Sequence, residues 1–224
     1  MRKIEAVIFD MDGVIFDTER LYLENWRKIF KKYGYEMTKE IYISVMGKGR
    51  KNAIKTFLEI YGKDLPISQM YKEKDEKFMQ EIEEGKVLVK PGAEEILNFL
   101  KENEYKIAIA TSAKRDRTLR QLNMAGMIKK FDVIVCGDDI KNSKPDPEIF
   151  LKAAQKLSVN YSNCIVIEDS AAGIKAAFNA KMIGMHVEDL KKADDEILKY
   201  CNRSFKDLFK IKEYFENEVD RMFR

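Results

Sequence analysis

The stretch Val7–Glu19, VIFDMDGVIFDTE, decides how the chain is read. Val7, Ile8 and Phe9 run straight into Asp10 and Asp12, with Gly13 behind them. Consecutive apolar residues of this kind suit a strand buried on both faces. A turn after such a strand needs one Asp and the Gly. A second carboxylate two residues away adds like-charge repulsion, which is costly unless a cation sits beside it. The pair therefore asks for a cation, a reaction, or both.

The same pattern of apolar run and polar end recurs along the chain. Lys106–Ser112 (KIAIATS), Phe131–Asp139 (FDVIVCGDD) and Asn163–Ser170 (NCIVIEDS) repeat it, and Ile183–Val187 (IGMHV) is a weaker version. Between these runs, Arg115–Met124, Pro147–Leu157 and Ala171–Ala180 have helical period. Asp146, Pro147 and Glu148 form a helix start signal. Strands alternating with helices predict an α/β fold, a Rossmann-like doubly wound parallel sheet. The interval between the first two strands breaks the alternation, since roughly ninety residues are too many for one crossover helix. Helices are predicted there over Leu21–Tyr33, Lys39–Met46, Lys51–Tyr61 and Ser68–Glu83. This predicts an all-helical cap domain at residues 18–86, inserted into a core made of residues 1–17 and 87–224. The C-terminal FKDLFKIKEYFENEV, Phe205–Val219, is amphipathic and is expected to pack on the sheet edge.

Composition narrows the chemistry. The 224 residues carry a formal net charge of +3 with both signs mixed, which leaves no electrostatic footprint for nucleic acid. No stretch approaches the ~20 apolar residues of a membrane span. The N-terminal apolar run is too short for a signal peptide. Cys136, Cys164 and Cys201 are far apart and read as packing thiols of a reducing compartment, so a cytoplasmic protein is expected, with a monomer as the default. The single histidine, His186, excludes a multi-histidine zinc site and is expected to be structural. No nucleophile elbow accompanies it. An enzyme with this composition works through carboxylates, hydroxyls and lysines.

In a parallel sheet all strand ends meet along one edge, where ligands bind. Here that edge gathers Asp10 and Asp12, Thr111 and Ser112, Asp138 and Asp139, and Glu168 and Asp169, with Lys144 in the loop after the third strand. An oxygen-only set favours a hard cation, of which Mg²⁺ is the commonest. Lys144 offers an anion a point charge. The Thr111 hydroxyl, and a helix starting near Ser112, suit phosphate oxygens. One Asp can then attack phosphorus while the other handles a proton and holds the metal through its backbone carbonyl. This splits a very slow hydrolysis into two displacements through an aspartyl phosphate. Asp138 and Asp139 either support the metal from behind its ligands or end the strand.

With these motifs in order, the chain resembles the haloacid dehalogenase superfamily, in its β-phosphoglucomutase-like and phosphoglycolate-phosphatase-like branch with a helical cap. DMDGV resembles the first family motif, ATS the second, KPDP the third and EDSAAGIKAA the fourth. The resemblance implies that Asp10 is the nucleophile and Asp12 the general acid/base, its carbonyl a metal ligand. It implies that Thr111, Ser112 and Lys144 hold the phosphate. Asp169 would bind Mg²⁺ directly, and Glu168 directly or through water. Arg50 in the cap is expected to face the substrate, a small phosphorylated metabolite such as a sugar phosphate. The branch holds phosphatases and mutases. Mutases carry a cap His where this chain has Tyr22, and a Lys where it has Met46. Those absences favour hydrolysis, while the nearby Lys48 keeps the mutase as an alternative. Gly47-Lys48-Gly49 is read as a turn that lets the cap approach the core.

Overall fold

The computed structural model describes residues 3–219; the ends of the expected core segments, residues 1–2 and 220–224, lie outside them. Six parallel strands form one sheet in the order β3-β2-β1-β4-β5-β6. They are β1 (Ala6–Phe9), β2 (Lys106–Ala110), β3 (Val133–Val135), β4 (Cys164–Glu168), β5 (Ile183–Val187) and β6 (Arg203–Phe205). β1 pairs with β2 on one side and β4 on the other. The chain therefore reverses its direction of winding between β1 and β4, which is where a parallel sheet opens a crevice.

Alternation along each strand feeds two faces. Val7, Phe9, Ile107, Ile109, Ile165 and Ile167 face one hydrophobic cluster. It is covered by α5 (Ala93–Glu102) and α10 (Leu208–Tyr214), with Leu122 of α6 (Arg115–Met124). Ala6, Ile8, Ala108, Ala110, Cys164 and Val166 face the other cluster, under α7 (Glu148–Leu157) and α8 (Ala171–Asn179). A strand covered on both sides cannot alternate in polarity, and β1 is accordingly buried at every position.

Between β1 and β2 lie α1 (Glu19–Lys32), α2 (Lys39–Val45), α3 (Gly49–Tyr61) and α4 (Ile67–Glu83). They share a separate cluster around Trp26, Phe30, Phe57, Met70 and Phe78. Trp26 sits edge-on to Phe30, Phe57 and Tyr71.

The structure refines the sequence expectations in several places. β3 is only three residues long, and Gly137–Asp139 turn into a short 3₁₀ helix. The helix after β2 spans Arg115–Met124, the range its period predicts, so its first residue lies just beyond Ser112. β6 was not foreseen, and α9 (Asp195–Tyr200) leads into it. α10 reaches the sheet edge as expected, through Tyr214 against Phe205, and also packs beside α5.

Candidate active site

The carboxyl ends of β1 and β4 place Asp10, Glu168 and Asp169 together, all buried. One carboxylate oxygen from each falls within 4.8 Å of the others. Lys144, fully buried, inserts between two of them. Its Nζ donates to Asp10 Oδ1 at 2.5 Å and Glu168 Oε1 at 2.7 Å, and to the Ala110 carbonyl at 3.3 Å. Glu168 Oε2 accepts from the Ser170 amide at 2.7 Å and its hydroxyl at 2.9 Å. Both Glu168 oxygens thus accept hydrogen bonds, which tie Lys144 and the turn into α8 to the cluster. The Ser170 hydroxyl also caps α8 by accepting from the Gly173 amide.

Burial raises the Asp10 carboxyl to about 7 despite the opposing Lys144 charge. Burial, followed by Glu168, pushes the Asp169 carboxyl well above its ordinary value. Burial works against the Lys144 charge, yet Asp10 and Glu168 outweigh it and raise the ammonium. Asp169 Oδ2 is buried with no hydrogen-bond partner. A buried, unpartnered carboxylate oxygen beside two more carboxylates is the arrangement a cation would relieve. The donors are all oxygen, so the residues fit a hard divalent ion.

Gly13 shows why the first motif ends as it does. Its φ is +76°, and a Cβ there would fall 2.2 Å from Asp169 Oδ2. Lys90, unremarked in the sequence, pins this loop by donating to the Gly13 carbonyl and Asp189 Oδ1, both at 2.9 Å. Gly173 is tighter still: a Cβ would lie 1.8 Å from Glu168 Oε1. In an exposed helix Gly→Ala gains about 1 kcal/mol. Gly173→Ala is expected to reverse that sign and cost about 1–3 kcal/mol, because Glu168 must yield. Urea unfolding of the variant checks it.

Asp12 stands apart from the three-carboxylate cluster. Both its oxygens face Arg117, a residue the sequence reading passed over. Burial raises its carboxyl, but the Arg117 charge and hydrogen bonds outweigh this and hold it below the usual range. Thr111 is buried, and its hydroxyl accepts from the Ala113 amide at 3.1 Å. The Ser112 hydroxyl donates to the Gly47 carbonyl at 3.3 Å, joining sheet to helical insert. Asp138 accepts from the Arg115 amide at 3.0 Å, which satisfies the N-terminus of α6. Asp139 pairs with Arg115 and accepts from the Cys136 amide at 2.8 Å. Both aspartates therefore serve local structure. His186 is buried, and that burial lowers the proton affinity of its ring. Its Nε2 donates to the Asp169 carbonyl at 3.2 Å and its Nδ1 accepts from Ser204 at 2.8 Å.

A cavity of about 570 Å³ opens between the sheet edge and the insert; Asp12 borders it, while Asp10, Lys144, Glu168 and Asp169 are not among its lining residues. Asp12, Ser112 and Arg117 line its floor, and Trp26, Arg50 and Lys74 its roof. Arg50 pairs with Asp75 and lies 4.6 Å over the Tyr71 ring. Lys74 shares Asp75 at 2.9 Å and packs over Tyr22, Trp26 and Tyr71. Glu19, also on the wall, bonds Tyr42 and is pushed up to about 8 by burial.

Such a sheet, with carboxylates gathered at its switch point beneath a helical insert, defines a hydrolase of the α/β class. Residues 7–187 match the haloacid dehalogenase-like hydrolase family, and the chain belongs to it as an enzyme of the phosphatase class. It is 38% identical over 186 residues to a phosphorylated carbohydrates phosphatase from Thermotoga maritima, covering 79% of this chain and 82% of that one. It superposes on β-phosphoglucomutase from Clostridium difficile with a TM-score of 0.82, 34% identity, and coverage of 97% and 98%. The CbbY structure from Rhodobacter sphaeroides in complex with phosphate gives 0.79 at 25% identity, over 93% and 96%.

Proposed function

We propose that the protein is a Mg²⁺-dependent phosphatase of small phosphorylated carbohydrates, working through an aspartyl phosphate on Asp10. The observation that carries this reading is Lys144, buried between Asp10 and Glu168, in a carboxylate cluster where Asp169 keeps a buried oxygen without a partner. A fold that only bound ligands would have no use for this costly arrangement. The Thermotoga relative supports a carbohydrate substrate.

In this reading Asp10 attacks phosphorus and the ester oxygen leaves with a proton from Asp12. Water then attacks the phosphoaspartate, passes a proton to Asp12, and frees phosphate. Arg117 keeps Asp12 ionised before substrate arrives. The incoming phosphate dianion adds negative charge beside it and raises its proton affinity, so Asp12 takes up a proton from solvent before the ester oxygen leaves. Thr111 and the Ser112 amide hold phosphate oxygens, and Lys144 neutralises charge on the nucleophile's side. Asp169, with Asp10 and the Asp12 carbonyl, would hold Mg²⁺, and Glu168 would support it from behind. When bound, the ion stabilises charge on the transferring phosphoryl group. Residues 18–86 act as a cap, held together by their own cluster, with Arg50 toward the substrate. The free thiols fit a cytoplasmic enzyme.

The C. difficile structure favours a second reading, a phosphosugar mutase. Against it, the position of the mutase His is Tyr22, bonded to Arg117. Incubation with β-glucose 1-phosphate separates the two. Phosphate release outpacing glucose 6-phosphate supports the phosphatase; the reverse overturns it.

The pH dependence has a definite sign. Asp10 and Glu19 have raised carboxyls when folded. Their contribution to stability is full below the ordinary carboxylate range. It is lost as pH climbs through about 7 for Asp10 and about 8 for Glu19. Mg²⁺ binds the ionised form. The rise in melting temperature on adding Mg²⁺ is therefore expected to grow from pH 5 to pH 8, as scanning calorimetry with and without EDTA would show.

A further inference from the structure

Arg117 has a position that the sequence pattern did not reveal. It lies near the start of α6, and its side chain is only 14% exposed. Nη1 donates to Asp12 Oδ1 at 3.0 Å and Nη2 donates to Asp12 Oδ2, so the carboxylate is gripped by both oxygens. The same Nη1 donates to the Tyr22 hydroxyl on α1, and to Gln121 Oε1 at 3.4 Å one turn along α6. The guanidinium carbon lies 5.4 Å from the Phe78 ring of α4, and Phe78 stacks on Tyr22 at 4.2 Å. One side chain thereby connects the end of β1, a helix of the sheet layer and two helices of the insert.

A planar guanidinium on both oxygens fixes the plane of a carboxylate as a single ammonium cannot. Each oxygen keeps a second lone pair for a proton in transit. The grip needs no substrate, because every partner belongs to this chain. We propose that Arg117 is a positioning residue. With Tyr22 it sets Asp12 to receive a proton from water before any acceptor sugar has bound, and so commits the phosphoenzyme to hydrolysis. This rests on the phosphatase reading. In the step concerned, the water oxygen forms a bond to phosphorus and the bond from phosphorus to Asp10 breaks. The water proton moves to Asp12, and phosphate departs from a regenerated Asp10 carboxylate.

Arg117→Met keeps the stem that packs on Phe78 and removes the fork. Arg117→Lys keeps the charge. The assays are steady-state phosphate release with the best substrate and acid-quenched phosphoenzyme, with circular dichroism and Trp26 emission as folding controls. Arg117→Met is expected to lower kcat roughly 10–100-fold with KM within about threefold, and to raise the phosphoenzyme fraction at steady state. Arg117→Lys is expected to recover part of kcat, and Tyr22→Phe to shift the same quantities by a few-fold. A folded Arg117→Met enzyme with kcat within about twofold of the parent would overturn the inference. So would a rise in KM alone, which would make Arg117 a substrate contact. A parent enzyme that releases no phosphate would defeat the phosphatase reading, and this inference with it. An active parent with an indifferent variant defeats only the inference.

Discussion

Asp10→Asn is expected to abolish phosphate release, by at least about 10³-fold, while leaving the fold intact. Asn keeps the shape of the side chain and removes the nucleophile, and removal of a covalent participant produces losses of this order or larger. Its effect on stability distinguishes it from a merely damaging substitution. The native Asp10 carboxyl is raised to about 7 by burial, so at pH 8 without metal the folded protein carries a buried charge that the unfolded chain solvates better. At pH 8 in EDTA, Asp10→Asn should therefore unfold at a urea concentration no lower than the parent's. At pH 5 the parent carboxyl is largely protonated and this advantage should vanish. Loss of activity accompanied by a large loss of stability at pH 8 would contradict the assignment of Asp10.

Lys144→Met is expected to give the largest loss of stability, about 3–5 kcal/mol at pH 7, together with loss of turnover. Removing one partner from a buried ionic group leaves the others charged and unpaired. Here two carboxylates, Asp10 and Glu168, would lose their shared cation at once. The double variant Lys144→Met with Glu168→Gln separates the two consequences. Neutralising Glu168 should recover part of the stability, because one orphaned charge is gone. It should recover none of the turnover, because Asp10 still lacks its cation beside the phosphate. Urea unfolding and phosphate release on the same preparations read both.

The sequence exposes this site because strand ends in a parallel sheet share an edge. Asp10, Asp12, Thr111, Glu168 and Asp169 each interrupt an apolar run, and Lys144 precedes a helix start, so chain order alone assembles them. The ninety-residue gap likewise announces the helical insert between β1 and β2. Arg117 gives no such signal. It lies in AKRDRTLRQ, a charged helical stretch in which periodicity does not choose which cation turns inward; packing of α1 and α4 over α6 makes that choice. Lys90 is hidden for the same reason, since its partners Gly13 and Asp189 are distant in sequence. β6 escapes because Arg-Ser-Phe is three residues long with no apolar run, and only its pairing with β5 makes it a strand. Asp138 and Asp139 are ambiguous in sequence because their partner Arg115, at the start of α6, is distant along the chain.

The most direct measurement is phosphate release by the unaltered protein with Mg²⁺, across a panel that includes β-glucose 1-phosphate, phosphoglycolate and nucleotides. The account predicts release from at least one sugar phosphate, suppressed by EDTA and absent in Asp10→Asn. No release from any of them by folded, Mg²⁺-bound protein would contradict it.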